Sequence, residues 1–263
     1  MPLPVLAGEP AEGADVPVLP GAEPFSHDGG SVGVLLCHGF TGTPQSLRPW
    51  ARSLADAGLS VRLPRLPGHG TTWQAMNRTR WEDWYAAVQG ELADLRRRCE
   101  RVVVGGLSMG GALATRLAQR QPADVAGLVL VNPGFALADP RLAALPLLKA
   151  VLPSVPGPAG DIARPGVTEL GYDRAPLRAL HSYVRSLRET VHELPAVTQP
   201  LLLLRSAVDH VIPPKSSDLL LSRISSKDVT TIVLERSYHV ATLDHDADTI
   251  ERESLAFVRR VAA

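Results

Sequence analysis

Ser108 sits among glycines in VVVGGLSMGGALATRLAQ (102–119), a setting in which a serine is a candidate nucleophile. A hydroxyl attacks poorly unless a base takes its proton, and the base needs a third group to orient it. The chain has eight histidines. His239, in RSYHVATLD, follows the apolar run VTTIVLE, at the end of a strand where ligands gather in parallel sheets. His245, six residues further in LDHDADT, is the alternative base. His38 and His69 occupy loops after earlier runs and are read as neighbours of the site. His27, His181, His192 and His210 are read as surface or structural residues. The acid is expected between serine and base, after a further strand. Asp209, in LLLLRSAVDHVIPP, has that position. The chemistry is acyl transfer: Ser108 attacks a carbonyl, His239 accepts its proton, and Asp209 fixes the imidazole tautomer.

Such an attack creates an oxyanion that needs donors. On a tight strand-to-helix turn, the Met109 N–H lies at a helix N-terminus, where partial positive charge favours an anion. The second donor is expected from CHGFTG, where Gly39 permits a tight turn that aims the Phe40 N–H at the same oxygen, with His38 buttressing the loop. DHDAD (244–248) has the composition of a metal cluster, but aspartates also favour helix starts through capping and the dipole, which is the preferred reading. The chemistry calls for no metal and no organic cofactor.

Positioning these residues requires strands that end where they lie. Six short apolar runs do so: VGVLLC (32–37), LSVRL (59–63), RVVVGG (101–106), GLVLVN (127–132), PLLLLRS (200–206) and VTTIVLE (229–235). They are continuous rather than alternating, as expected of parallel strands buried on both faces. Helical patterns lie between them. Thr43-Pro44 reads as an N-cap pair ahead of Leu47, Trp50, Ala51 and Leu54, with Gly58 as the stop. Trp81, Trp84, Tyr85, Val88, Leu92 and Leu95 form a second stripe, and Ile250, Phe257, Val258 and Val261 a third. This alternation predicts an α/β fold, a mostly parallel central sheet with helices on both faces.

One connection is far longer than a crossover requires. The stretch from about 134 to 199 reads as a cap insertion over the strand ends, with an apolar helical stretch from Leu142 to Leu152 and a Pro/Gly-rich part after it. Residues 1–20 read as a mobile Pro-rich leader without the basic and apolar regions of a signal peptide, and 21–263 as the catalytic domain. A formal net charge of zero gives no footprint for nucleic acid, and the three scattered lysines make no polybasic patch. No apolar run reaches the ~18 residues that span a bilayer. The expected location is the cytoplasm. Cys37 and Cys99 fall a strand length apart if their strands are parallel neighbours, too far for a disulfide.

With these residues placed, the chain resembles the α/β-hydrolase fold, and within it the bacterial monoacylglycerol lipase and carboxylesterase family. The matching stretches are GVLLCHGFTGTPQSLRPWA, PRLPGHGTT, GLSMGGALA, DHVIPP and SYHVATLD. The resemblance implies a Ser108–Asp209–His239 triad with Phe40 and Met109 as oxyanion donors. It also implies a serine hydrolase of single-acyl lipid esters, most simply monoacylglycerol, with the acyl chain beneath the 142–152 segment and transient contact with a lipid surface through the cap. A broad carboxylesterase or thioesterase shares the same triad. A non-catalytic binding protein on this scaffold is the rival from another class, and such proteins commonly lack a triad member.

A glycerol ester carries two hydroxyls that a plain fatty ester lacks, so polar groups are expected at an otherwise apolar mouth. The cap segment DIARPGVTELGY is the polar end of the insertion. Glu169 within it is the expected substrate-binding residue, because one carboxylate can accept hydrogen bonds from both hydroxyls. A similar G-V-x-E-L stretch in the family's caps points the same way.

Overall fold

The computed structural model describes residues 16–137, 139–157 and 160–263, with Pro140 and Arg141 described by backbone alone. Residues 1–15 of the expected leader lie outside the described residues. Of the rest, the Leu19 N–H donates to the Gly70 carbonyl (2.8 Å), and the Leu19 side chain packs against the core.

In chain order the elements are β1 (Phe25–His27), β2 (Val32–Cys37), α1 (Arg48–Asp56), β3 (Ser60–Leu63), α2 (Trp73–Met76), α3 (Trp81–Arg96), β4 (Arg101–Leu107), α4 (Met109–Arg120), β5 (Gly127–Val131), α5 (Leu145–Val151), β6 (Ser154–Pro156), β7 (Arg174–Pro176), α6 (Leu177–His192), β8 (Leu201–Ser206), α7 (Lys215–Arg223), β9 (Val229–Leu234) and α8 (Ala247–Ala262). Seven strands form one sheet in the order β1-β3-β2-β4-β5-β8-β9, parallel except for β1. All six apolar runs are strands of it. β1 was not expected. Its three residues carry little pattern of their own and become a strand by pairing antiparallel with β3.

The continuous runs are explained by the pleat, which sends successive side chains to opposite faces. Val102 and Val104 join a core with Trp84 and Leu92 of α3 and Leu113 of α4. Val103, between them, faces Trp50 and Leu54 of α1 and Phe257 of α8. Both faces are covered along the middle of β2, β4 and β5, so apolar residues fill those positions, and Arg101 stands at the exposed start of β4. Helix ends follow their local signals. Thr43 accepts the Gln45 N–H at the start of a 3-10 turn, Pro44–Leu47, that runs into α1. Gly58 follows α1 with φ of +86°, a conformation that glycine adopts without strain.

Between β5 and β8 the chain forms a 3-10 turn (Pro140–Ala144), α5, an antiparallel β6–β7 hairpin and α6. The helical stretch expected over 142–152 is therefore divided, with the α-helix beginning only at Leu145 and Pro146 in its first turn, where a missing N–H costs nothing. The segment is tied to the sheet layer. The Tyr183 hydroxyl donates to the Gly134 carbonyl (2.6 Å) and the Tyr172 hydroxyl to the Gly68 carbonyl (2.8 Å). Cys37 and Cys99 are both free and buried. Among the described residues, no helix is long and apolar enough to cross a membrane.

Candidate active site

Ser108 occupies the junction of β4 and α4 with φ of 57° and ψ of −119°, a left-handed backbone that a non-glycine residue holds only under strain. Close packing imposes it. A Cβ on Gly110 would lie 1.9 Å from the Cys37 carbonyl oxygen, and one on Gly106 would lie 2.3 Å from the Gly110 carbonyl carbon. Strand and helix meet backbone to backbone there, and the chain turns between them too sharply for Ser108 to relax. Its carbonyl accepts the N–H groups of Gly111 and Gly134 (3.0 Å each), and its N–H donates to the Val131 carbonyl (3.0 Å). The turn is thus locked on three sides. Met109 begins α4 with its side chain buried, and Gly39 packs against Ser108, a Cβ there lying 3.5 Å from the serine Cβ.

The loops after β8 and β9 bring Asp209 and His239 together, with 2.8 Å between Asp209 Oδ2 and His239 Nδ1. Asp209 Oδ1 accepts the N–H groups of Val211 (2.8 Å) and Ile212 (2.7 Å), so the carboxylate is held by its own loop while it faces the ring. Both side chains are more than nine-tenths buried, which keeps this pair out of competing water. His245 is exposed and has no part in the pair. His38 is fully buried. Its Nε2 accepts the Leu66 N–H (3.1 Å), which leaves Nδ1 to donate to the Gly39 carbonyl (3.0 Å). Burial pulls its pKa down to about 4, so the ring braces the Phe40 loop as a neutral group.

Ser108 and His239 line one cavity of about 190 Å³ with Gly39, Phe40 and Glu169. Leu142, Leu180 and Ile212 supply an apolar wall. Glu169 is the carboxylate expected at the polar end of the insertion, and it reaches this cavity. Its Oε1 would lie 2.7 Å from a Cβ on Gly42, so that glycine makes room for it. Burial pushes the Glu169 carboxyl above its ordinary pKa, against the pull of His239 and of a backbone hydrogen bond at Gly160.

Asn132 and Asp161, which sequence reasoning did not single out, and Asp244, which it read only as part of DHDAD, hold the His239 loop. Asn132, at φ of 43°, donates from Nδ2 to the His239 carbonyl (2.8 Å) and accepts the Ser206 N–H (2.8 Å). The polar end of GLVLVN was its only sequence signal. Asp161 accepts the His239 N–H (3.1 Å). Asp244 accepts the N–H groups of Tyr238 (2.9 Å), His245 (2.8 Å), Ala163 (2.7 Å) and Arg164 (2.9 Å). Burial works against its charge, yet these four bonds outweigh it and hold the carboxyl below its usual pKa. The capping role expected for DHDAD is corrected here. Asp246 precedes α8 but makes no side-chain cap, and accepts instead from the Arg236 N–H (2.9 Å) and the Ser237 hydroxyl (2.8 Å). Backbone donors of the base loop lie within reach, and these aspartates are spent on them.

The arrangement has the parts of a nucleophile–base–acid relay beside an apolar cavity, and comparison with known proteins is consistent with that. A model of the alpha/beta hydrolase family matches residues 34–252. The chain is 43% identical to a thermostable monoacylglycerol lipase of Bacillus sp. (strain H-257) over 94% of this chain and 98% of that one. It is 23% identical to a carboxylesterase of Bacillus subtilis (strain 168), over 91% and 97%. A solved structure from "LipS and LipT, two metagenome-derived lipolytic enzymes increase the diversity of known lipase and esterase families" superposes with a TM-score of 0.90 at 41% identity, covering 93% of this chain and all of that one. Sequence and architecture agree along nearly the whole length, and the chain belongs to the α/β hydrolase family.

Proposed function

We propose that this protein is a serine hydrolase of carboxylic esters whose substrate is monoacylglycerol, cleaved to fatty acid and glycerol. Ser108 attacks the ester carbonyl, His239 takes its proton and returns it to the leaving glycerol, and Asp209 holds the ring and stabilises its cation. The Phe40 and Met109 N–H groups receive the oxyanion. Water, activated by the same histidine, then releases the acid. The observation that carries the substrate is the cavity itself: a largely apolar chamber holding Ser108 and His239 together with Glu169, a carboxyl raised by burial. An acyl chain suits the apolar wall, and Glu169 accepts hydrogen bonds from the glycerol hydroxyls. Both the similarity to a monoacylglycerol lipase and the 41% identity to a lipolytic structure support the reading.

Residues 134–199 act as the cap in this reading, closing the cavity from above and meeting the lipid from which substrate comes. Leu147 and Val151 of α5 are each 76% exposed. Beside them opens a larger cleft of about 630 Å³, apart from Ser108, whose lining includes Arg78, Arg80, Lys149, Arg178 and Arg185. Folding thus gathers, chiefly from arginines, a basic edge that the three scattered lysines did not lead one to expect. An apolar helix face edged by cations suits a transient stay on an anionic lipid surface. The two unpaired, buried thiols fit a cytoplasmic setting.

A rate panel tests the assignment: monoacylglycerols of several chain lengths, diacylglycerol, acyl-CoA and aryl esters, with the wild type and three variants. Ser108→Ala and His239→Ala are expected to lose turnover by several orders of magnitude, whereas His245→Ala keeps it. A lethal His245→Ala overturns the base. A preference for acyl-CoA over every monoacylglycerol overturns the substrate.

A further inference from the structure

We infer that Asp161 is a positioning residue for His239, so that the insertion between β5 and β8 itself holds the base loop in register with the acid loop. The inference rests on the reading of His239 as the base. Asp161 lines the cavity that contains Ser108, and its side chain is 16% exposed. One carboxylate oxygen, Oδ2, accepts two backbone donors: the His239 N–H (3.1 Å) and the His210 N–H (3.2 Å). The other, Oδ1, lies 2.8 Å from His210 Nδ1. The Asp161 carbonyl accepts the Val240 N–H (3.0 Å).

Those donors belong to the two loops that must meet. His210 follows Asp209 directly, and His239 and Val240 form the loop after β9. Asp161 therefore clips the backbone of the acid loop to the backbone of the base loop, in addition to their own Asp209–His239 bond. The His210 ring packs edge-on against Tyr238, the residue before His239, with centroids 4.7 Å apart, which closes the clip with a second contact across the same gap. Asp244 repeats the device two residues along, taking Ala163 and Arg164 from the insertion and Tyr238 from the base loop.

A single imidazole bonded only at Nδ1 can still swing about that bond. Tying its backbone at both the N–H (Asp161) and the carbonyl (Asn132) fixes the Cα from which the ring extends, which limits that swing. The tie at the N–H comes from the insertion, so a displacement of that segment releases the base. The ring is in register only while the insertion is seated.

The test measures kcat and KM with p-nitrophenyl acetate, together with the rate of labelling by a fluorophosphonate. Both depend on serine–histidine chemistry and neither needs glycerol recognition. Asp161→Ala is expected to lower kcat and the labelling rate by about tenfold to a hundredfold, the cost of a misplaced reacting group, with KM within about twofold of wild type. Asp161→Asn recovers most of the loss, because one amide oxygen accepts both backbone donors and the amide nitrogen donates to His210 Nδ1 in its other tautomer. A segment that merely supported the cap would show its effect in KM, and the labelling rate would not move. Unchanged kcat in Asp161→Ala, or a loss confined to KM, overturns the inference. If Asp161→Ala does not fold, Asp161→Ser decides, since its short hydroxyl keeps the position polar but withdraws the acceptor from the His239 and His210 N–H groups. A drop in kcat of about threefold or more sustains the clip, and a smaller change overturns it. His239→Ala, run alongside, separates the two layers of argument. If it retains turnover the assignment of the base is wrong, whereas its loss with Asp161→Ala unaffected condemns the clip alone.

Discussion

Gly110→Ala puts the geometry of the serine turn to a direct trial. Gly110 is the second residue of α4, and within a helix alanine is favoured over glycine by up to about 1 kcal/mol, so helix propensity alone says this change stabilises α4. The packing says otherwise. The new Cβ would stand 1.9 Å from the Cys37 carbonyl oxygen and 2.5 Å from the carbonyl carbon, and both are backbone atoms at the end of a central strand that cannot rotate away. Relief requires α4 to retreat from β2 by roughly 1 Å before the contact is even tolerable. Overpacking of this kind costs about 1–3 kcal/mol, and in a core of backbone the upper end applies. After the propensity gain, a net loss of about 1–2 kcal/mol remains, a fall in Tm of about 2–8 °C. The larger effect is catalytic. Ser108 is the residue two before Gly110, and a shift of about 1 Å in a reacting group costs about a hundredfold in kcat. The assay is kcat on a short aryl ester beside a thermal melt, with Gly90→Ala as the control. Gly90 lies on the exposed face of α3 with nothing within 4 Å of an added Cβ, so it should gain about 0.5–1 kcal/mol and keep its rate. A Gly110→Ala protein with wild-type kcat and an unchanged or raised Tm refutes the claim that backbone approach shapes this turn.

Glu169→Gln should lower kcat/KM for monoacylglycerol by about tenfold or more while sparing a p-nitrophenyl ester of the same chain length, and equal losses on both esters would make Glu169 a support of the cap. The same variant should melt higher at neutral pH. A carboxyl raised by burial contributes its stability below its ordinary pKa and loses it as pH rises through the folded value, so at pH 7 the wild type bears a cost that glutamine removes. His38 works in the opposite sense. With a folded pKa of about 4 against an ordinary 6.5, its contribution is intact above pH 6.5 and drains away as pH falls towards 4, by up to about 3 kcal/mol. The stability difference between wild type and His38→Asn, from urea unfolding at a series of pH values, should shrink across that window. A constant difference would mean that the ring is not neutral in the fold.

The sequence by itself determined the elements whose stability is local or is written as composition. The strands inside the sheet are runs of apolar residues because both their faces are buried, and such a run is visible wherever it occurs. VTTIVLE reads the same way in sequence, yet the structure puts it at the sheet edge as β9 with most of its residues exposed, against the expectation of burial on both faces. The serine turn was visible for a related reason: only glycine allows the approach of β4, α4 and β2, so Gly106 and Gly110 record a three-body contact in two letters. Asp209 and His239 could be placed after strands, and Glu169 at the polar end of the insertion, because position after a strand is itself a sequence property. What only the tertiary structure decided is which side chains serve backbone donors far away in sequence. Asp161 reaches His239 across 78 positions and Asn132 reaches it across 107, and nothing near either residue announces the partner. DHDAD does mark a helix start, with Asp248 in the first turn of α8, but the capping role read for it was wrong, since capping is a local use of aspartate and Asp246 and Asp244 serve donors of the His239 loop instead. β1 had too few residues to carry a pattern and exists through β3. A hydrogen bond satisfies a buried N–H with any acceptor that the fold delivers, and delivery depends on the path of the whole chain, which no short stretch of it contains.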